Sequence, residues 1–225
     1  MVGDAAYYIY RIQNSGGNSN TFWNISVTNC YRGADIANSN INITQFYANY
    51  TTYVIFITSG NANVSNFQMY NVGEPAYIRT SSNYLRNGII NSSSGNVIYL
   101  DQMSALNNIF SNITVWNSTG SSINILQPSD NGTTIIDMPL WRSYTLKNMT
   151  LTVENTTAGK IVFTNILNGT GANFSRDVQI GNNFAYVNSS VNGMNASANV
   201  TFYNLAGFSY PALFKDGQPC PASQC

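Results

Sequence analysis

An all-β solenoid, a parallel β-helix wound in coils of about 20–26 residues, is the fold class this sequence predicts. Three observations carry that expectation. Helical periodicity is nearly absent, and apolar residues fall in short runs interrupted by Asn, Gly and Ser, the pattern of many short strands. Only 8% of the residues are charged, against 44% hydrophobic, so a core is affordable while the polar surface must come from Asn, Ser, Thr and Gly. Finally, the apolar runs recur in a fixed order around regularly spaced asparagines.

Six of these, Asn29, Asn49, Asn71, Asn91, Asn117 and Asn155, follow one another at 20, 22, 20, 26 and 38 residues. Two residues before them stand Val27, Tyr47, Met69, Ile89, Val115 and Val153. Six or seven residues after them a second apolar strand begins or is under way, at Ile36, Ile55, Ile78, Ile98, Ile123 and Ile161. A tight turn between two strands needs a residue that tolerates the left-handed backbone region, and Asn does. Stacked inside, its amide also bonds to the Asn above and below, so the set reads as a structural Asn ladder. A third, variable strand precedes each of them, as in Ile41-Asn42-Ile43. The interval of 38 implies an insertion around Gln127–Arg142.

The expected organisation is regular parallel coils over 1–164, irregular coils or a β cap over 165–209, and a Pro/Cys-rich exit over 210–225. Within that exit, the spacing of Cys220 and Cys225 suits a small disulfide loop of an oxidising compartment, with free thiols as the alternative. Cys30 reads as a small core residue. The chain starts almost inside a strand-like segment, Ala6–Ile12, and ends abruptly at Cys225, which reads as a piece of a longer surface protein.

The Val/Ile-x-Asn and Ile-x-Ile coils, over roughly Tyr7 to Thr164, resemble the pectin-lyase-like superfamily of right-handed β-helices. They are most similar to a loosely patterned repeat family that includes many archaeal surface proteins. The ending Tyr210-Pro211-Ala212-Leu213-Phe214 through Cys220-Pro221 is similar to a segment that follows such repeats. The resemblance implies a right-handed parallel β-helix and leaves activity open, since that scaffold serves lyases, glycosidases, phage spikes, adhesins and surface-layer components.

Fifteen Asn-x-Ser/Thr sequons are present, about twice what chance gives from this composition. Asn24, Asn42, Asn63, Asn112, Asn131 and Asn148 lie outside the ladder and are the glycosylation candidates. Asn49, Asn91, Asn117 and Asn155 belong to both sets, and an Asn stacked in a core cannot carry a sugar.

No catalytic residue is assigned. The carboxylates Asp35, Glu74, Asp101, Asp137, Glu154 and Asp177 sit at different offsets from the ladder, and Arg32 and Glu74 share an offset two coils apart. Paired carboxyls for glycoside hydrolysis, or a basic residue beside calcium-binding acids for a lyase, are not indicated. Trp23, Trp116 and Trp141 are expected in coil corners or the core, with a sugar-binding groove as the alternative. There is no His, no cofactor or metal is expected, and no nucleic-acid partner, since net charge is zero without a basic patch. No stretch approaches 18 consecutive apolar residues, so no membrane span is expected. The expected function is a non-enzymatic structural or adhesive segment of a secreted or cell-surface glycoprotein. It would carry covalent N-glycans and meet copies of itself or cell-surface carbohydrate. The alternative is a carbohydrate-active enzyme or a carbohydrate-binding module.

Overall fold

The computed structural model describes residues 8–12, 19–101, 105–125, 132–205, 212, 214–215 and 217–221. Strands, numbered in chain order, alternate between two sheets. A short-strand sheet stacks β1 (Tyr8–Ile12), β3 (Arg32–Ile36), β5 (Tyr53–Ile57), β7 (Glu74–Ile78), β9 (Ile98–Leu100), β11 (Ile123–Ile125) and β13 (Tyr144–Thr145). A long-strand sheet stacks β2 (Asn20–Thr28), β4 (Ile41–Asn49), β6 (Asn63–Val72), β8 (Tyr84–Ser93), β10 (Ile109–Trp116), β12 (Thr133–Ile136) and β14 (Leu151–Asn155). Every pairing within these two series is parallel. The result is an all-β parallel solenoid of about six turns, as the sequence predicts.

Left-handed residues make the corners. Five long strands bend in their middle, at Asn24, Gln45, Asn66, Asn87 and Asn112, and Asp137 takes the same place after β12. A second corner lies near or just past the end of those five strands, at Asn29, Tyr50, Asn71, Ser92 and Asn117, and a third precedes the next strand at Asn40, Asn61, Ser82, Asn107 and Gly132. The non-glycine residues among these have φ between 46° and 62°. Asn predominates because its short polar side chain tolerates this region, whereas most L residues lose roughly 1–2 kcal/mol there. Successive long strands are offset by 21 residues up to β8, then by 25, and by 18 at the last step.

Inside, like residues stack on like. One row runs Ile36, Ile57, Ile78, Leu100, Ile125 and another Ile43, Val64, Leu85, Phe110, Ile135, all nearly inaccessible. In the row Phe46, Phe67, Gly88, Ile113 the glycine makes room: a Cβ at Gly88 would lie 2.0 Å from the Phe67 ring. Burying such aliphatic and aromatic side chains contributes roughly 1.5–3 kcal/mol each. Cys30 is in this core, a free thiol whose Sγ lies 3.4 Å from Thr51 Oγ1.

Three expectations need correction. The six ladder asparagines occupy three different places. Asn29, Asn71 and Asn117 are left-handed corners, Asn49 and Asn91 stand one residue earlier in the coil, and Asn155 is in register with the bend position beside Asp137. They line the outside, exposed or half-buried, with Asn71 Nδ2 donating to Asn49 Oδ1 (3.3 Å) and Asn117 Nδ2 to Asn91 Oδ1 (3.1 Å). The slip shows in their neighbours. Val27 and Met69 point into the core, while Tyr47 and Ile89, two before the misplaced members, are exposed, because one residue reverses the face of a strand.

Instead, the interior amide stack is Asn83 on Asn108, both fully buried at the third corner. Asn108 Oδ1 accepts from the backbone N–H and Nδ2 of Asn83 (3.0 and 2.9 Å), and Asn108 Nδ2 donates to the carbonyls of Thr80 and Ala105 (3.1 and 2.9 Å). Nor do residues 132–142, the described part of the expected insertion around Gln127–Arg142, interrupt the winding. They contain β12, a strand paired in parallel on both sides, with Asp137 at the bend position in place of Asn.

Parallel winding also stops before residue 164. After β14 the Asn155 side chain accepts from the N–H groups of Thr157 and Ala158 (3.0 and 3.1 Å), and this turn sends β15 (Gly159–Phe163) back antiparallel. β19 (Ala198–Phe202) adds antiparallel to β15, and β16 (Thr170–Gly171) to β13. The expected cap segment, 165–209, also holds a one-turn helix α1 (Phe174–Asp177) and the hairpin β17 (Val178–Gly181) with β18 (Phe184–Val187). Near the end, β20 (Phe214–Lys215) pairs with β21 (Gln218–Pro219). Cys220 is disulfide-bonded, while Cys225 lies outside the described residues.

Candidate functional site

The outer face of the short sheet gathers chemistry that the sequence scatters. In four of its coils two successive residues turn inward: Gly33 with Ala34, Val54 with Ile55, Pro75 with Ala76, Val97 with Ile98. This stacked wrinkle behaves as a bulge and re-phases the alternation. Residues three apart, such as Arg32 and Asp35 or Glu74 and Tyr77, thereby share the outer face. By their offsets from the ladder asparagines, Asp35, Glu74 and Asp101 fall in different parts of the coil. The wrinkle brings them onto one strip.

Two rows run up that strip. Arg32, Tyr53 and Glu74 are in register, with Asn96 beyond them, and Asp35, Phe56, Tyr77 and Tyr99 form the second row. The rings touch edge to face: Tyr31 on Tyr53 (centroids 5.2 Å), Tyr53 on Tyr77 (5.5 Å) and Tyr77 on Tyr99 (4.7 Å), with Phe56 stacked on Tyr77 (4.8 Å). Such pairs add roughly 0.5–1.5 kcal/mol beyond the area they bury. Charges are set among the rings. Arg32 bridges Asp35 (3.2 Å) and its guanidinium lies 3.9 Å from the Phe56 centroid, and Arg79 meets Asp101 (3.5 Å), which also accepts from the Tyr77 hydroxyl.

Electrostatics follow from this packing. Burial, then the hydrogen bond and charge of Asp101, push the Tyr77 phenol well above its ordinary range, and burial with Asp101 raises Tyr99. Burial raises the Glu74 carboxyl too, opposed by a hydrogen bond from Asn96 Nδ2 to its Oε1 (3.0 Å). The other oxygen, Oε2, is buried without a hydrogen-bond partner. Polar hydroxyls, ring faces and paired charges in a line can hold an extended polar ligand with ring-like faces.

The remaining candidate acids hold the cap. Asp137 accepts from the backbone and hydroxyl of Thr156 (2.9 and 2.6 Å), and Glu154 from Tyr203 (2.9 Å). Asp177, fully buried, accepts from Tyr144 (3.2 Å) and Asn188 Nδ2 (3.0 Å). The tryptophans are not in the core. Trp23, Trp116 and Trp141 are 67, 59 and 61% exposed, in β2, at the end of β10 and between β12 and β13, so they form no common groove.

Of the glycosylation candidates, Asn24 and Asn112 are exposed long-strand bends, and Asn148 is half-buried with a left-handed backbone. Asn42 and Asn63 are half-buried neighbours in register, Asn63 Nδ2 donating to Asn42 Oδ1 (3.2 Å). Asn131 lies outside the described residues. Because the shared asparagines Asn49, Asn91, Asn117 and Asn155 are also on the outside, ladder and sequon do not conflict. A concavity on the long sheet, about 360 Å³ and open, follows the bend amides Asn66, Asn87 and Asn112 over Gly88. No helix among the described residues is long and apolar enough to cross a membrane, and no group of three or more potential metal ligands occurs among them.

No protein-family model, curated protein or solved structure matches this chain.

Proposed function

We propose that the chain is a non-enzymatic structural and adhesive segment of a secreted or cell-surface glycoprotein, related to the pectin-lyase-like and archaeal surface β-helices. Its sequons carry glycans, and the aromatic and charged strip of the short sheet docks cell-surface carbohydrate. One observation carries this reading: four tyrosines and Phe56 continue ring on ring across adjacent coils, interleaved with Arg32, Asp35, Glu74, Arg79 and Asp101. Sugars present apolar C–H faces for such rings and hydroxyls for such charges. The bonded Cys220 favours an oxidising compartment, and the sequon excess on outward positions favours a glycosylated exterior.

Titration of the intact chain with oligosaccharides by calorimetry tests the strip. Replacing Tyr77 by Ala is expected to weaken binding about tenfold, the effect of losing one central aromatic contact, while Gln68→Ala on the long sheet leaves it unchanged. Binding insensitive to Tyr77, in a variant that keeps its melting temperature, refutes the strip as the docking face. Intact mass from the native source, before and after deglycosylation, tests the glycans. An unmodified mass removes them from the proposal.

A further inference from the structure

Resting on that reading and deepening it, the geometry points to a seat for a protonated amine at Glu74, flanked by Tyr53, Tyr77 and Tyr99, and so to amino sugars as the carbohydrate class preferred.

The strip already shows how it holds a cation. The Arg32 guanidinium has the Phe56 ring against it at 3.9 Å and the Asp35 carboxylate beside it at 3.2 Å. A ring quadrupole and an anion attract the same positive group, and both contacts strengthen when water is partly excluded. Around Glu74 the same components are present. Tyr53 is its neighbour in register, Tyr77 lies on its own strand, and the charge of Glu74 is felt by Tyr53 and Tyr99 alike.

Glu74 differs from the other two acids in its partners. Asp35 meets Arg32 and Asp101 meets Arg79, whereas Glu74 makes no salt bridge among the described residues. Its Oε1 is used by Asn96 and its Oε2 is buried without a donor. A carboxylate oxygen left in that state is unfavourable, and an ammonium group brings three N–H donors and the opposite charge. The other charge felt at Glu74 is that of Asp101, also negative. A polyuronate would add negative charge there, and a neutral sugar would leave Glu74 without a counter-charge. An amine supplies one.

Calorimetry of the full chain with a glucosamine hexamer and an N-acetylglucosamine hexamer, at a mildly acidic pH where the amine is charged, decides the matter. We expect the free-amine oligomer to bind at least about tenfold more tightly, the scale of one charge-assisted contact. Glu74→Gln should abolish the preference, and Gln68→Ala on the long sheet should preserve it. Equal affinities in the parent chain, or a preference that survives Glu74→Gln, overturns the amine seat and leaves the docking strip standing. Binding of neither oligomer overturns the amine seat. Binding of both that ignores Tyr77→Ala overturns the strip as well. The parent-chain comparison is decisive even if a variant fails to fold.

Discussion

The two sheets wind around one interior and present opposite exteriors. On the long sheet, amides and hydroxyls pair from coil to coil: Asn42 with Asn63, Thr44 with Ser65, Asn49 with Asn71, Asn87 with Asn112. On the short sheet, the outward rows are rings and charges. An amide is both donor and acceptor, so it can face its own kind at every level of a stack. A charge cannot, because like charges in register repel. The short sheet never sets like charges on adjacent rungs of these rows: Arg32, Tyr53 and Glu74 follow one another in one, and Asp35 is followed by Phe56, Tyr77 and Tyr99 in the other. Stacking therefore dictates the inward positions and leaves the outward ones to recognition, provided each row obeys its own pairing rule.

This contrast can be broken by substitution. The largest effect is expected where an amide is interior. Asn108→Ala strands the Asn83 backbone N–H and the Ala105 carbonyl and removes one of two bonds from Asn83 Nδ2, which keeps the Thr80 carbonyl, and should lower unfolding free energy in denaturant by roughly 2–4 kcal/mol. A loss as small as that of an exposed amide would erase the distinction between inside and outside. Next, Arg32→Ala takes the cation from Phe56 and the partner from buried Asp35, with an expected loss of about 2 kcal/mol. Thr44→Ala, its counterpart on the amide face, should change stability by less than ~0.5 kcal/mol. Equal losses would show that the two exteriors do not differ energetically.

At a long-strand bend, Asn112→Ala should cost about 1 kcal/mol, and Asn112→Gly should recover most of it, because the backbone there is left-handed. Failure of glycine to rescue would assign the cost to the lost bond with Asn87. A small effect that depends on pH is expected of Glu74→Gln. The Glu74 carboxyl titrates above its ordinary 4.5 in the native state, so its protonated form favours folding. That stability is complete below the ordinary value and is lost as pH rises through the native one. The variant should match the parent chain in acid and exceed it near neutrality, by less than ~1 kcal/mol given solvent screening. A difference independent of pH would contradict the assigned cause.

Much of the fold was legible because turns select residues strongly. Left-handed corners recruit Asn, and Ile36, Ile55, Ile78, Ile98 and Ile123 mark the second strand where the spacing places it. What escaped did so for physical reasons. Tyr50, Ser92, Gln45 and Asp137 occupy the same kind of corner as Asn, so a count of asparagines slips by one residue or misses a layer. Asn83 and Asn108 are buried because they satisfy backbone groups in adjacent coils, and only their common place just before Tyr84-Leu85 and Ile109-Phe110 hints at it. The strip escaped because the inward pairs at 33–34, 54–55, 75–76 and 97–98 defeat a period of two. Its signal was nonetheless present: Arg-x-x-Asp at 32–35, Tyr-x-x-Phe at 53–56 and Glu-x-x-Tyr at 74–77 repeat one spacing in three successive coils.

The constant offset from β2 to β8 makes the molecule adjustable in length. Removing or duplicating 21 residues, such as 42–62, would rejoin strands that already share a register. Each such change would shift the overall height by about 4.8 Å, one strand spacing, and subtract or add one rung of the docking face, while the antiparallel closure beyond β14 stayed as it is. Reach and valency would thus vary in whole-number steps through recombination alone, with no new core to be found.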